Sequence, residues 1–269
     1  DVGGDVWLKH DEHSGALYGG NKVRKLEFLL ADALEQNYTD VLTYGAVGSN
    51  HALATAIYAR EYQLRCHVVL TPQPASPKVA NTLLYHLDIG TDLLPVANYP
   101  SAAETAARLR ATLTAAGRTL YEIPFGGSSP LGTIGFVNAA LELAEQITAG
   151  EMPEPERIYL ACGTSGSVSG LSLGLRLAGI STRVIATQVT PASISGPAAH
   201  ERLFNETNAL LHTLASSVPL LANPRCNVEH RDEQFGTGYA EPTVAAKLAV
   251  ERMQQTEAKT QKSAQSQAD

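Results

Sequence analysis

Short apolar segments alternate with helical patterns along most of this chain, and small residues fill the turns between them. Residues 40–44 predict a strand that breaks at Gly45 and precedes an Ala-rich helix over residues 52–60. The same order of strand, small-residue turn and helix recurs over residues 157–177. This alternation is typical of an α/β protein whose parallel sheet is covered on both faces. Right-handed crossover connections follow from that arrangement.

The pattern also predicts where the other elements lie. Further strands are predicted at residues 6–9, 66–70, 92–96, 119–123 and 183–188. Further helices are predicted at residues 22–34, 78–87, 102–116, around 139–147, 198–216 and from Pro242 onward. The composition then becomes polar and loses its apolar periodicity, so residues 259–269 are predicted to form an unpacked tail.

Charge and cysteine content exclude several classes of function. The formal net charge of −7 over 269 residues argues against nucleic acid or an anionic membrane as a main partner. The three cysteines and the scattered histidines show no metal-ligand spacing, so we expect no metal site. We find no signal peptide or transmembrane run and expect a cytoplasmic protein. The chain begins with Asp1 rather than Met, which suggests a trimmed start.

A basic motif, Gly-Gly-Asn-Lys-Val-Arg-Lys, occupies residues 19–25. Its glycines allow a tight turn, and Asn21 is a favourable N-cap for the helix that follows. Lys22 then falls on the first helical turn, where partial desolvation would make its amine a nucleophile and a base. Basic residues are disfavoured at a helix start, so an anionic ligand would explain them. A solvated basic turn is the alternative, and these seven residues alone favour it.

A second motif follows the strand at residues 157–162. It consists of Gly163, Thr164, Ser165, Gly166 and Ser167. Glycines expose successive N–H groups, hydroxyls add donors and the following helix adds positive potential, which together predict a phosphate cradle. The motif matches neither a dinucleotide-binding nor a Walker pattern, and an ordinary strand-to-helix turn explains it equally well.

The turn Ser49-Asn50-His51 sits at the carboxyl end of another predicted strand, where open α/β sheets bind ligands. We interpret Ser49 and His51 as donors to a carboxylate and Asn50 as a ligand hydrogen-bond partner. A Ser49 nucleophile with His51 as base is less favoured because no acidic orienting residue is apparent. His51 is equally compatible with a satisfied, half-buried histidine. Tyr239 either stacks on a ring or fills the core.

These motifs together resemble the D-cysteine desulfhydrase and aminocyclopropane-carboxylate deaminase family. The resemblance covers about residues 5–258 and rests on segments that occur in order at residues 19–28, 49–51, 126–132, 163–166 and 238–243. It implies a pyridoxal-phosphate enzyme with the two-domain, parallel-sheet fold of the tryptophan-synthase β type. It further implies a large cofactor domain from residues 1–24 and 137–258, and a smaller α/β domain inserted at residues 25–136.

The resemblance also implies roles for the motif residues. Lys22 would hold pyridoxal phosphate as a Schiff base and then remove the substrate α-proton. The loop of residues 163–167 would hold the phosphate with help from Lys25, and Asn50 would bond the ring hydroxyl. Ser49, Asn50 and His51 would take the substrate carboxylate, and Tyr239 would lie beside the ring. The catalytic residues implied are Lys22, Ser49 and Tyr239.

The function implied is a lyase that acts on a small amino acid, most like β-elimination of D-cysteine to pyruvate, ammonia and hydrogen sulfide. His51 after Ser-Asn is similar to desulfhydrases, whereas deaminases usually have glutamine there. The alternatives are aminocyclopropane-carboxylate deamination and a truncated, inactive member that only binds cofactor. Family members continue with a segment that contacts the pyridine nitrogen, where this chain has residues 259–265, so we expect reduced turnover. A homodimer is also expected.

Overall fold

The computed structural model describes residues 5–265, with side chains described as far as Gln255. Its strands form two parallel sheets. The first sheet has the order β3-β2-β1-β4 and contains β1 (Asp40–Ala46), β2 (Arg65–Thr71), β3 (Asp92–Pro95) and β4 (Leu120–Glu122). The second has the order β5-β6-β7 and contains β5 (Arg157–Cys162), β6 (Arg183–Gln188) and β7 (Val228–Arg231). The predicted α/β class is therefore confirmed.

Helices connect the strands, as parallel pairing requires. Along the chain they are α1 (Val23–Glu35), α2 (Asn50–Glu61), α3 (Pro77–Asp88), α4 (Tyr99–Ala115), α5 (Pro130–Thr148), α6 (Gly166–Leu177), α7 (Ala192–Ser195), α8 (Pro197–Leu214) and α9 (Val244–Gln265). Within residues 5–265, no helix combines the length and hydropathy needed to cross a lipid bilayer.

Strand β1 lies at the centre of the first sheet and is buried along its whole length. It pairs in parallel register with β2, so that Asp40 lies opposite Arg65 and Ala46 opposite Thr71. A strand buried on both faces is typical of a parallel sheet covered by helices. This burial fixes the position of the turn that follows β1.

Two apolar clusters hold the helices that carry the motifs. In one, Leu26, Leu29 and Ala33 of α1 pack with Val41 of β1 and Ala54 of α2. In the other, α5 and α6 pack over the second sheet; this cluster includes Phe136, Ala140, Val168, Leu171, Leu175 and Val184. This packing against the sheets fixes the positions of the amino-terminal ends of α1 and α6. The division into an inserted and an enclosing domain stays a prediction.

The sequence prediction misplaced several elements. Residues 6–9 form no strand, and Val6 is exposed. Helix α1 begins at Val23 with Lys22 in the N-cap position, one residue later than predicted, and Asn21 is not the cap. Strand β7 was not predicted. The backbone of α9 is helical to Gln265, whereas packing of residues 259–269 lies outside the side chains described.

Candidate functional site

The motif residues converge where α1 and α6 begin, beside the loop that precedes α5. A small pocket lies there. It is lined by Lys22 and Lys25 together with residues 161–168. The pocket thus unites the basic motif of α1 with the predicted phosphate cradle at the carboxyl end of β5.

The cradle is an uncapped helix start. Ser165 occupies the N-cap position of α6 in the left-handed conformation, with φ 62°, and its side chain makes no capping hydrogen bond. The N–H groups in the first turn of a helix have no partner within the helix, and the helix dipole places positive potential around them. The start of α6 is therefore prepared to bind an anion.

Gly166 allows side chains from other elements to approach the start of α6. A Cβ at this position would lie 2.5 Å from Oγ of Ser128 and closer still to Nζ of Lys25. Ser128 and Thr164 share a hydrogen bond of 2.7 Å between their hydroxyl groups. The loop before α5 and the cradle are thus joined directly, and only glycine fits at the point of contact.

Lys25 is fully buried beside this contact. Its Nζ donates to the carbonyl of Gly126 at 3.1 Å and to Oγ of Ser128 at 2.9 Å. Burial, followed by the charge of Lys22, holds the pKa of the Lys25 amine well below its usual range. The Lys25 amine therefore has only neutral hydrogen-bond partners.

Lys22 is half-buried at the mouth of the same pocket. Within the residues whose side chains are described, its amine has no hydrogen bond or ion pair. Burial lowers the pKa of Lys22 to about 8. A substantial fraction of this amine is therefore neutral near pH 8 and able to act as a nucleophile.

The third basic residue of the motif has a different environment. Arg24 donates from Nε to Asp11 at 2.9 Å and from a terminal nitrogen to Glu142 at 2.7 Å. Lys9 also pairs with Glu142. An anionic ligand is thus not needed to explain Arg24, and the argument from charge rests on Lys22 and Lys25 alone.

The turn after β1 places Ser49 and Asn50 at the surface and His51 inside. Oγ of Ser49 caps α2 by accepting from the N–H of Ala52 at 3.2 Å, which leaves its own proton free to donate. Asn50 is exposed, and its Oδ1 accepts from the Tyr18 hydroxyl at 3.4 Å. Both side chains are accessible to a ligand.

His51 is buried, with 3% of its surface exposed. Its Nε2 lies 2.9 Å from Oγ1 of Thr43, and that hydroxyl also donates to the Ile123 carbonyl at 3.1 Å. Because a hydroxyl has one proton, Nε2 is the donor to Thr43 and Nδ1 carries a lone pair. Burial and the nearby Lys22 and Lys25 hold the pKa of His51 well below its usual range. The imidazole is therefore neutral.

Tyr239 lies outside the lining of this pocket, with 48% of its surface exposed. Partial burial and then the Tyr99 hydroxyl raise the pKa of its phenol. Tyr99 in turn packs edge-on against Phe125, with ring centroids 5.3 Å apart. The predicted place of Tyr239 beside a cofactor ring stays a prediction.

Possible metal-ligand atoms of His10, Glu12 and His13 lie within 4.8 Å of one another. The sequence analysis described the histidines as scattered and did not predict this cluster. All three side chains are exposed, and His10 pairs with Glu12 at 2.5 Å. The contact between His10 and Glu12 is a hydrogen bond at the surface.

Sequence reasoning did not single out Ser128 or Thr43 as parts of the site. Ser128 lies in the Gly-Gly-Ser-Ser loop, whose small residues were a usable signal of close approach. Thr43 carries no such signal because it resembles any buried strand threonine. Its importance appears only when β1 and α2 are packed together.

The groups that line the pocket have the chemistry needed to hold a phosphorylated aldehyde cofactor. Free N–H groups at the start of α6 and the buried amine of Lys25 suit a phosphate. The unpaired amine of Lys22 suits a carbonyl carbon. Gly166 leaves space where any side chain would block the cradle.

Comparisons with known proteins agree with this chemistry. A family model described as pyridoxal-phosphate dependent enzyme matches residues 1–259. The mitochondrial bifunctional D-cysteine desulfhydrase/1-aminocyclopropane-1-carboxylate deaminase of Arabidopsis thaliana is 35% identical over 70% of this chain and 49% of its own length. The D-cysteine desulfhydrase of Klebsiella pneumoniae (strain 342) is 31% identical over 95% of this chain and 76% of its own.

Among solved structures, an ACC deaminase homologue superposes with a TM-score of 0.72 and 29% identity, over 87% of this chain and 67% of its own. The alignments with the two curated relatives span about half and three quarters of those proteins.

Proposed function

Because this chain belongs to the pyridoxal-phosphate-dependent enzymes of the D-cysteine desulfhydrase and ACC deaminase family, we propose that it is a lyase acting on a small amino acid. The reaction proposed is β-elimination of D-cysteine, in which D-cysteine and water give pyruvate, ammonia and hydrogen sulfide. The observation that carries the proposal is the pair of lysines without acidic partners over the uncapped start of α6.

In this proposal the two lysines have separate tasks. Lys22 supplies the amine that holds the cofactor and, once released by substrate, accepts the proton from the substrate Cα. Its pKa of about 8 suits both tasks near neutral pH. Lys25 and the residues 163–167 bind the phosphate. Pyridoxal phosphate, when bound, supplies an electron sink for the charge left at Cα.

The turn after β1 provides the proposed carboxylate site. The Ser49 hydroxyl keeps a proton to donate while it caps α2, and the exposed amide of Asn50 adds donors or accepts from the cofactor. His51 links this turn to β1 through the hydrogen bond of its Nε2 with Thr43, and its Nδ1 has no hydrogen-bond partner among the described residues. In this tautomer Nδ1 carries a lone pair and cannot donate to a carboxylate, so the predicted contact of His51 with the substrate carboxylate would require the imidazole proton to move from Nε2 to Nδ1.

A second candidate reaction is ring-opening deamination of aminocyclopropane carboxylate. It is favoured by the bifunctional name of the Arabidopsis thaliana relative and by the superposed deaminase homologue. The product separates the two candidates, because the desulfhydrase gives pyruvate and the deaminase gives 2-oxobutyrate.

The experiment is a product assay on cofactor-loaded protein with each substrate at equal concentration. We expect pyruvate from D-cysteine to form faster than 2-oxobutyrate from aminocyclopropane carboxylate. The reverse ranking would make this chain a deaminase. Cofactor binding without either product would leave a binding protein only. Lys78→Ala, a change of an exposed lysine in the first turn of α3, serves as the matched control for Lys22→Ala.

We also propose a homodimer. Leu84, Tyr85 and Leu87 of α3 keep 60–65% of their surface exposed, which is unusual for three neighbouring apolar side chains. A second copy of this chain is the proposed cover. Light scattering should give a molar mass twice that of one chain. The double variant Leu84→Glu/Leu87→Glu should have the molar mass of a single chain.

A further inference from the structure

Lys25 combines complete burial with the absence of a counter-charge. Its surface exposure is 0%, and its hydrogen-bond acceptors are the Gly126 carbonyl and the Ser128 hydroxyl, both neutral. Within the described side chains, no carboxylate forms an ion pair with it. A buried ammonium group without a negative partner is strongly disfavoured.

The groups that face Lys25 from the surrounding elements supply no carboxylate, and only the Phe136 ring favours the ammonium form, through a weak cation–π contact. Lys22 approaches from the start of α1, and the neutral His51 approaches from α2. From α5 the Phe136 ring lies with its centroid 5.8 Å from Nζ, and the positive end of α6 begins at Gly166. The neighbouring thiol of Cys162 has a pKa raised by its burial, so it too is neutral.

A phosphate dianion at the start of α6 would reverse the balance. It would bring negative charge to the same nitrogen that now has none, and a charge-assisted hydrogen bond would favour the ammonium form. The amine would then take one proton from solvent, forming one N–H bond with no change in oxidation state.

We propose that Lys25 is neutral before the cofactor binds and becomes protonated when the cofactor phosphate enters the cradle, so that loading of the site takes up a proton. This inference rests on the proposed phosphate role of residues 163–167. It makes Lys25 a proton-linked binding residue, separate from the nucleophile Lys22.

The test uses pyridoxine 5′-phosphate, which lacks the aldehyde and cannot react with a lysine. Calorimetric titrations at pH 8 in two buffers of different ionisation enthalpy give the number of protons taken up. Lys22→Ala removes the other nearby amine, and Lys22→Ala/Lys25→Met serves as its matched partner because methionine keeps the apolar length. We expect Lys22→Ala to take up about one proton more than the double variant.

Equal proton uptake in the two variants would overturn the proposal. If the double variant does not bind the probe, the absence of proton uptake by Lys22→Ala would overturn it instead. Uptake of about one proton by Lys22→Ala at pH 8, where the phosphate of the probe is already a dianion, would support it in that second case. If the wild type shows no lyase activity but the two variants differ by one proton as expected, the proposed reaction is rejected and this inference stands.

Discussion

Helices α2 and α6 both begin at the carboxyl end of a parallel strand, but their first turns are built differently. Ser49 caps α2 from an extended conformation and accepts the N–H of Ala52. Ser165 at the same position of α6 is left-handed and caps nothing. The first turn of α2 therefore satisfies part of its own hydrogen bonding. In α6 the N–H of Gly166 donates to the Thr164 carbonyl at 2.9 Å, and the N–H groups that directly follow it are left for a ligand. Serine at a helix start thus does not by itself mark a cap or a binding site.

The charged groups around the two turns extend the contrast. Lys22 and Lys25 face the α6 turn, and neither has an acidic partner among the described residues. The α2 turn presents the uncharged side chains Ser49 and Asn50 instead. In the proposed function, one turn binds a dianion and the other binds a carboxylate or a ring hydroxyl.

The largest expected effect comes from filling the α6 turn. Gly166→Val would place a side chain against Lys25 and Ser128, so we expect pyridoxal-phosphate affinity to fall by about 100-fold or more. Fluorescence titration measures it. The matched control is Ala178→Val at the other end of α6, where the backbone φ of −79° accepts a branched side chain. If Gly166→Val binds as well as the control, the cradle assignment is wrong.

The next effect concerns the pH dependence of cofactor attachment. Only a neutral Lys22 amine attacks an aldehyde, so its pKa of about 8 makes the rate rise about tenfold per pH unit below 8 and level off above. Stopped-flow absorbance from pH 6 to 10 follows the rate. A free lysine analogue run in parallel corrects for titration of the cofactor itself. A rate that keeps rising beyond pH 9 would show that Lys22 has an ordinary pKa.

A smaller effect is expected on the free energy of unfolding of the ligand-free protein, which should differ between variants of Ser49 and Ser165. Ser49→Ala removes a cap and should destabilise the fold by about 1 kcal/mol. Ser165→Ala removes no cap and leaves the left-handed strain in place, and it loses only the weak contact of the buried Ser165 hydroxyl with Sγ of Cys162 at 3.8 Å. We therefore expect a smaller loss than for Ser49→Ala. Urea denaturation compares them. Equal losses would remove the structural contrast between the turns.

The smallest effect concerns Arg24, the basic residue that already has acidic partners. The Arg24 guanidinium, and then Lys9, lowers the pKa of Glu142 to about 2. This pair stabilises the fold above the unfolded pKa near 4.3, and the contribution disappears as pH falls toward 2. Glu142→Gln should cost under about 1 kcal/mol at pH 7, because the carboxylate is partly exposed.

Urea denaturation from pH 2 to 7 measures that cost, and cofactor affinity should stay unchanged. Weakened cofactor binding in Glu142→Gln would place Arg24 in the site after all.

Much of this arrangement followed from the sequence. The strands at residues 157–162 and 183–188 were predicted with the bounds observed, because each carries an apolar run between polar or small-residue turns. Strand β6 is largely buried, whereas β5, which the sequence predicted to be buried, lies at a sheet edge and exposes alternate residues. Strand β7 was missed because two of its four residues, His230 and Arg231, are basic and its length is minimal. Residues 6–9 have a strand-like composition but pair with no strand in the described chain.

Part of the candidate site could also be predicted from the sequence. Lys25 lies one helical turn before Leu29, on the face that packs into the core, so helical periodicity alone indicates its burial. The left-handed conformation of Ser165 has no such signal, since serine is ordinarily an N-cap. The direction of His51 likewise depends on how α2 packs against Thr43, which no local pattern encodes.

The most direct test of the central claim is to find the lysine that holds the cofactor. Protein loaded with pyridoxal phosphate is reduced with borohydride, digested and mapped by mass spectrometry. The uncapped start of α6, the buried amine of Lys25 and the unpaired amine of Lys22 predict one label, on Lys22. A label on Lys25, or labels spread over surface lysines such as Lys78, would contradict the account.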